Sequence, residues 1–76
     1  MNWIEGTVSY DLSKNRFIRH ITFDEVKLIL VYHRLYEDMF SIDEIRTIDG
    51  TNIINLVRDR TIERLENIIE RVQNEI

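Results

Sequence analysis

Thr22-Phe23-Asp24-Glu25-Val26-Lys27-Leu28-Ile29-Leu30-Val31-Tyr32-His33-Arg34-Leu35-Tyr36-Glu37-Asp38-Met39 is the stretch whose conformation decides the fold. Thr22 and Glu25 have the spacing of a capping box, in which a hydroxyl and a carboxylate satisfy free amide groups at a helix start. Asp24 and Glu25 also sit where a helix dipole favours negative charge. This reading predicts a helix from about Phe23 to Met39. Val26, Ile29, Leu30, His33 and Tyr36 then mark one stripe, and Leu28, Val31, Leu35 and Met39 another. A helix apolar on two sides is sandwiched between two partners, here a preceding hairpin and a following helix.

Upstream, residues 3–12 alternate. Ile4, Gly6, Val8, Tyr10 and Leu12 fall on one face, and Glu5, Thr7, Ser9 and Asp11 on the other, with Trp3 breaking the polar set. Period-two alternation with β-branched and aromatic residues reads as a half-buried strand. Leu12-Ser13-Lys14-Asn15 has turn composition, and Arg16 to Ile21 closes an antiparallel hairpin. Downstream, Ser41 and Glu44 repeat the capping-box spacing and start a short helix from about Ile42 to Ile48. Asp49-Gly50 stops it, because glycine readily takes the left-handed conformation past a helix end. Thr51 or Asn52 caps a last helix that runs toward the C-terminus. Ile62, Leu65, Ile69, Val72 and Ile76 recur at intervals of 3, 4, 3 and 4, the spacing of a coiled-coil seam. The expected fold class is therefore α+β: an N-terminal antiparallel β-hairpin followed by three helices, the last long and amphipathic. It is one small domain, with the hairpin in 1–21, a helical pair in 22–48 and a C-terminal dimerisation helix in 51–76.

Length and composition narrow the classes of function. With 76 residues there is room for one domain, and a chain this short buries only about 60% of its unfolded surface. Small folds commonly add a disulfide, a metal or a second copy. The chain has no cysteine and two histidines, so the remaining device is oligomerisation, and the absence of cysteine fits a reducing compartment. Hydrophobic residues at 43% and charged residues at 32% describe a globular chain rather than a disordered one. No apolar run approaches the roughly 18 residues of a membrane span. Met1-Asn2-Trp3-Ile4-Glu5 lacks the basic start and apolar stretch of a signal peptide. The expected location is cytoplasmic, with no membrane partner.

The central part of the chain resembles the MerR-type transcription regulators. Thr22, Asp24, Glu25 and Val26 are similar to the end of that family's wing strand and the start of the next helix. Thirteen positions after Val26, Met39-Phe40-Ser41-Ile42-Asp43-Glu44-Ile45-Arg46 is similar to the family's Gly-Phe-Ser-Leu-Glu-Glu-Ile-Arg block. The resemblance covers about 30 residues and implies a wing, two helices and a dimerisation helix. The family's opening helix-turn-helix has no counterpart in the first 21 residues, and Met39 stands in place of the family's glycine.

The candidate sites follow. Lys14, Arg16, Arg19 and His20 cluster on the hairpin. The resemblance implies a wing there that contacts phosphates, which position a protein on DNA without reading its bases; ordinary surface charge is the alternative. The net charge of −4 opposes a strong phosphate term. Trp3 is a candidate partner anchor, since tryptophan is enriched at binding hot spots. Ile62, Leu65, Ile69, Val72 and Ile76 form the expected dimer interface. Arg58, Arg60, Arg64 and Arg71, interleaved with acids, form either a solvated face or a flank that selects a helical partner. His33 reads as a hydrogen-bonded boundary residue, and no carboxylate lies at metal-ligand spacing from either histidine. No catalytic, metal or cofactor-binding set is expected, because adjacent acidic pairs on a helix point apart and no glycine-rich phosphate loop exists. No small-molecule substrate is evident. Two functions remain. The first is a non-enzymatic, dimeric protein-interaction module, an adaptor or inhibitor linked to transcription or to a phage. The alternative is a minimal DNA-binding regulator that acts through the basic hairpin.

Overall fold

The computed structural model describes residues 3–37 and 39–74, with side chains described for 8–37 and 39–73. Its elements are β1 (Trp3–Asp11), β2 (Arg16–Phe23), β3 (Val26–Arg34), β4 (Phe40–Arg46), a short 3-10 turn (Ile54–Leu56) and α1 (Asp59–Asn74). The four strands form one antiparallel sheet in the order β1-β2-β3-β4. The expected hairpin in 1–21 is thus half of a larger sheet, and the expected helical pair in 22–48 is its other half.

The correction begins at Asp24-Glu25. Both residues have positive φ, 48° and 69°, and Phe23 pairs directly with Val26. Two successive left-handed residues make a type I′ turn, whose twist matches that of the strands it joins. Thr22 belongs to β2, so the apparent capping box is two residues of a hairpin. The run Val26-Lys27-Leu28-Ile29-Leu30-Val31-Tyr32 extends as β3, in keeping with its β-branched and aromatic content. Its apolar residues serve both faces. Leu28, Leu30 and Tyr32 face the core, while Val31 is buried on the other side beside Ile18 and Ile29. Buried on two sides, the strand loses its alternation and acquires the double stripe that suggested a sandwiched helix.

The expected helix at Ile42–Ile48 is likewise a strand. Phe40 and Ile42 alternate toward the core, but Ile45 follows at an odd spacing. The register explains this: Tyr32 pairs with Ile42 and Val31 with Glu44, which leaves Asp43 as an extra residue. That bulge returns Ile45 to the inner face. The two helices that the resemblance to MerR-type regulators implies before the last one are therefore strands here. Gly50, at φ 92°, closes a turn in which its amide donates to the Thr47 carbonyl at 2.9 Å. The Asp49 carboxylate accepts from the Thr47 hydroxyl and from the Thr51 amide, the latter at 3.1 Å. The Thr47 hydroxyl, and then that amide, hold the Asp49 carboxyl below its ordinary range.

Asn52 does not cap the last helix. Its side-chain oxygen accepts from the amides of Ile45 at 3.2 Å and Ile54 at 3.1 Å. The helix starts later, at Asp59, and lays its apolar stripe on the sheet. Leu65 and Ile69 are 0% exposed within a single chain, packed with Ile21, Leu28, Leu30, Tyr32, Phe40, Ile42 and Ile45. Burying each such side chain contributes about 1.5–3 kcal/mol. The seam expected to join two copies is the core of one. Ile62 and Val72 are half-buried at its ends, and Ile76 lies outside the described residues.

Candidate protein-binding site

The sheet treats its two edges differently. Along β4, the Ile42 amide donates to the Glu66 carboxylate at 3.0 Å and the Ile45 amide to Asn52. The Ile45 carbonyl accepts from the Ile53 amide at 2.7 Å, and the Thr47 amide donates to the Thr51 carbonyl at 3.0 Å. A bridge between Arg46 and Asn52 completes this cover. At the opposite edge, among the described residues, β1 pairs with β2 alone. An edge strand left in this state presents a row of amides and carbonyls that can template another strand.

A groove runs beside that edge. α1 approaches β4 most closely, and among the described side chains its last turn reaches the β1 side at Val72 and Gln73. Between them and the sheet lies a cavity of about 220 Å³, bordered by Val8, Tyr10, Phe17, Val72 and Gln73. Val8 and Tyr10 remain 48% and 42% exposed, although their register places them opposite the core-facing Arg19 and Phe17. A chain of aromatic contacts runs along the groove floor. Tyr10 meets Phe17 edge to face with centroids 4.7 Å apart, Phe17 stacks on Tyr32 at 5.4 Å, and Tyr32 meets Phe40 edge to face at 5.6 Å. Such pairs contribute about 0.5–1.5 kcal/mol each beyond their burial. The Tyr10 hydroxyl donates to Asn15, and the Asp11 carboxylate accepts from the Ser13 amide at 3.0 Å. The Ser13 hydroxyl also donates to Asp11, at 2.6 Å, and it is the main reason the Asp11 carboxyl sits below its ordinary range.

The basic cluster expected on the hairpin is divided by the sheet. Arg19 is 3% exposed and faces the core. Its Nε donates to the Tyr32 hydroxyl at 3.1 Å and its guanidinium also donates to Gln73 Oε1 at 3.0 Å. The Tyr32 hydroxyl in turn donates to Gln73 Oε1 at 3.1 Å. Arg19 therefore ties the end of α1 to the sheet and is withdrawn from any phosphate. It shares its face with Phe17 and Ile21, and that alternation was the available sign of burial. His20 is exposed on the opposite face, in register with Ile29. Lys14 is exposed in the β1–β2 turn. Arg16 lies 3.5 Å from the Asp43 carboxylate and 3.9 Å from that of Glu44. His33 Nδ1 lies 2.8 Å from Asp43 on the neighbouring strand, a carboxylate partner that sequence spacing does not reveal. The Trp3 side chain lies outside the described ones.

Among the described residues no group of three or more His, Asp or Glu side chains comes together to hold a metal. No helix among them is long and apolar enough to cross a membrane. Compared with known proteins, the chain matches no family model, no curated protein and no solved structure.

Proposed function

We propose that the protein is a non-enzymatic regulatory module, an adaptor or inhibitor, that binds an extended segment of another protein along β1. The observation that carries this reading is the difference between the sheet edges: the Ile42 and Ile45 amides and the Ile45 carbonyl of β4 are answered by Glu66, Asn52 and Ile53, whereas among the described residues β1 pairs with β2 alone and has a largely apolar groove beside it. In strand addition, backbone hydrogen bonds supply affinity, and pockets that take alternate side chains supply specificity. Val8, Tyr10 and Val72 give such a pocket an apolar lining. A cytoplasmic place of action belongs to the same proposal, on the strength of the cysteine-free composition.

A photo-crosslinking residue at Val8 or Tyr10, with Leu56 as an exposed control, tests it in the cells that make the protein. One discrete product is expected from the β1 positions, and added pure partner should slow hydrogen exchange of the β1 amides. Equal labelling from Leu56, or unchanged β1 exchange, would overturn the reading. The phosphate-binding alternative has lost Arg19 to the core, and its Arg16 is shared with Asp43 and Glu44. A gel shift that weakens with salt and with Lys14→Ala would favour it instead.

A further inference from the structure

The meander brings the β1–β2 turn and the β3–β4 loop to the same end of the sheet. The loop is closed by the Leu35 amide donating to the Met39 carbonyl at 2.8 Å, and Arg34 donates to the Glu37 carbonyl. It holds Leu35, Tyr36 and Met39 in the open, with Tyr36 73% exposed. Three large apolar side chains on one loop tip form an unusual local concentration of the residue types that interfaces favour.

Charge is segregated on the two sides of this loop. Where the loop begins, a cleft of about 580 Å³ is lined, among the described residues, by Lys14, Arg16, His33 and Arg34 together with Tyr10, Asn15 and Phe17; Arg16 and His33 are engaged by Asp43, and Arg16 also by Glu44, so Lys14 and Arg34 are the exposed cations of this cleft. Where the loop ends, Met39 and Phe40 border a groove of about 350 Å³ whose remaining lining, among the described residues, is Glu63, Glu66, Glu70 and Asn67, with no cation among them. The Arg34 guanidinium stands 5.0 Å from the centroid of the Phe40 ring, so the two sites adjoin across this pair.

We propose that this end of the sheet is the contact surface for a second copy of the chain. The layout of basic cleft, apolar loop and acidic groove is self-complementary. A two-fold axis through the apolar loop sets the basic cleft of each protomer against the acidic groove of its partner, and each contact occurs twice. The apolar loops meet at the axis, where they exclude water and strengthen the flanking charge pairs. This inference goes beyond the β1 reading and does not depend on it. It also moves the site of pairing from the helix seam, which the core consumes, to the loop end.

Charge reversal with complementation tests it. One variant carries Lys14→Glu and Arg34→Glu; the other carries Glu63→Lys and Glu70→Lys. Glu66 is left unchanged because it accepts from the Ile42 amide. Sedimentation velocity is run at high micromolar concentration in low salt, with circular dichroism to confirm folding. Wild type should sediment as a dimer that dissociates as salt is raised, and each variant alone as a monomer. An equal mixture of the two should recover the dimer, since both contacts regain opposite charge only in the mixed pair. A monomeric wild type, a dimer that persists in both variants, or a mixture that stays monomeric would each overturn the proposal. The β1 reading is decided separately by labelling at Val8.

Discussion

Replacing Glu25 with glycine tests the fold at its deciding point, because two conformations of that residue predict opposite signs. Glu25 is exposed and has φ 69° as the second residue of the Asp24-Glu25 turn. The left-handed region costs an L-residue about 1–2 kcal/mol, from its Cβ approaching the following carbonyl. Glycine removes that cost but gives back about 0.5–1 kcal/mol through its greater freedom in the unfolded chain. The net expectation for Glu25→Gly is a stabilisation of about 0.5–1 kcal/mol. In a domain of this size each kcal/mol moves Tm by roughly 4–8 °C, so the melting point should rise by about 2–8 °C. In a helix beginning at Phe23 the same change would instead cost about 1 kcal/mol and lower Tm. Glu25→Val sharpens the contrast, since a β-branched residue is poorly accommodated at positive φ; it should destabilise the turn. Thermal melts followed by circular dichroism, paired with urea titrations, supply the numbers. A fall in Tm for Glu25→Gly, or an equal response to Gly and Val, would refute the hairpin geometry from which the β3 assignment follows.

Two further expectations come from the core and from the turns that hold Asp49 and Asp11. Ile69→Ala removes a side chain with no exposed surface and should cost about 2–5 kcal/mol, read as a drop in the urea midpoint that is independent of protein concentration; a loss below about 0.5 kcal/mol would place Ile69 outside the core. The depressed Asp49 and Asp11 carboxyls make stability pH-dependent on the acid side. Their folded pKa lies below the unfolded value of about 3.9, so their contribution is complete above that value and is lost as pH falls through the folded pKa. Asp49→Asn should flatten the decline of Tm below about pH 4, and an unchanged acid limb would contradict the Thr47 and Thr51 contacts.

Local pattern and global packing can be separated residue by residue. The strand of 3–12 and its antiparallel partner from Arg16 to Ile21 were legible from period-two alternation and turn composition, whereas Thr22 and Phe23, which extend β2, were read as a helix start. The amphipathic stripe from Ile62 to Val72 was legible for the analogous reason at helical period. Neither pattern names what covers the apolar side. The spacing of Leu65 and Ile69 suits a partner helix and a sheet equally well, and only the return of α1 onto its own sheet decided for the latter. β3 was illegible because Val31 is buried on one face while Leu28, Leu30 and Tyr32 are buried on the other, which erases the period that distinguishes strand from helix. The bulge at Asp43 did the same for β4, by placing Ile42 and Ile45 on one face at a spacing no regular strand permits.

Composition and pattern in the sequence by themselves therefore determined a cysteine-free chain with an alternating, strand-like start and an amphipathic helical end. Tertiary structure decided the rest. It placed Arg19 against Tyr32 and Gln73 and removed it from the surface, and it brought Lys14 within one cleft of Arg34, twenty residues away in sequence. Among the described residues it also left β1 paired with β2 alone while part of β4 was covered by 51–53 and Glu66. Each of these depends on which strands are neighbours, and neighbour order is set by turn geometry and by the total apolar area the sheet and helix can bury together, not by the preference of any one segment.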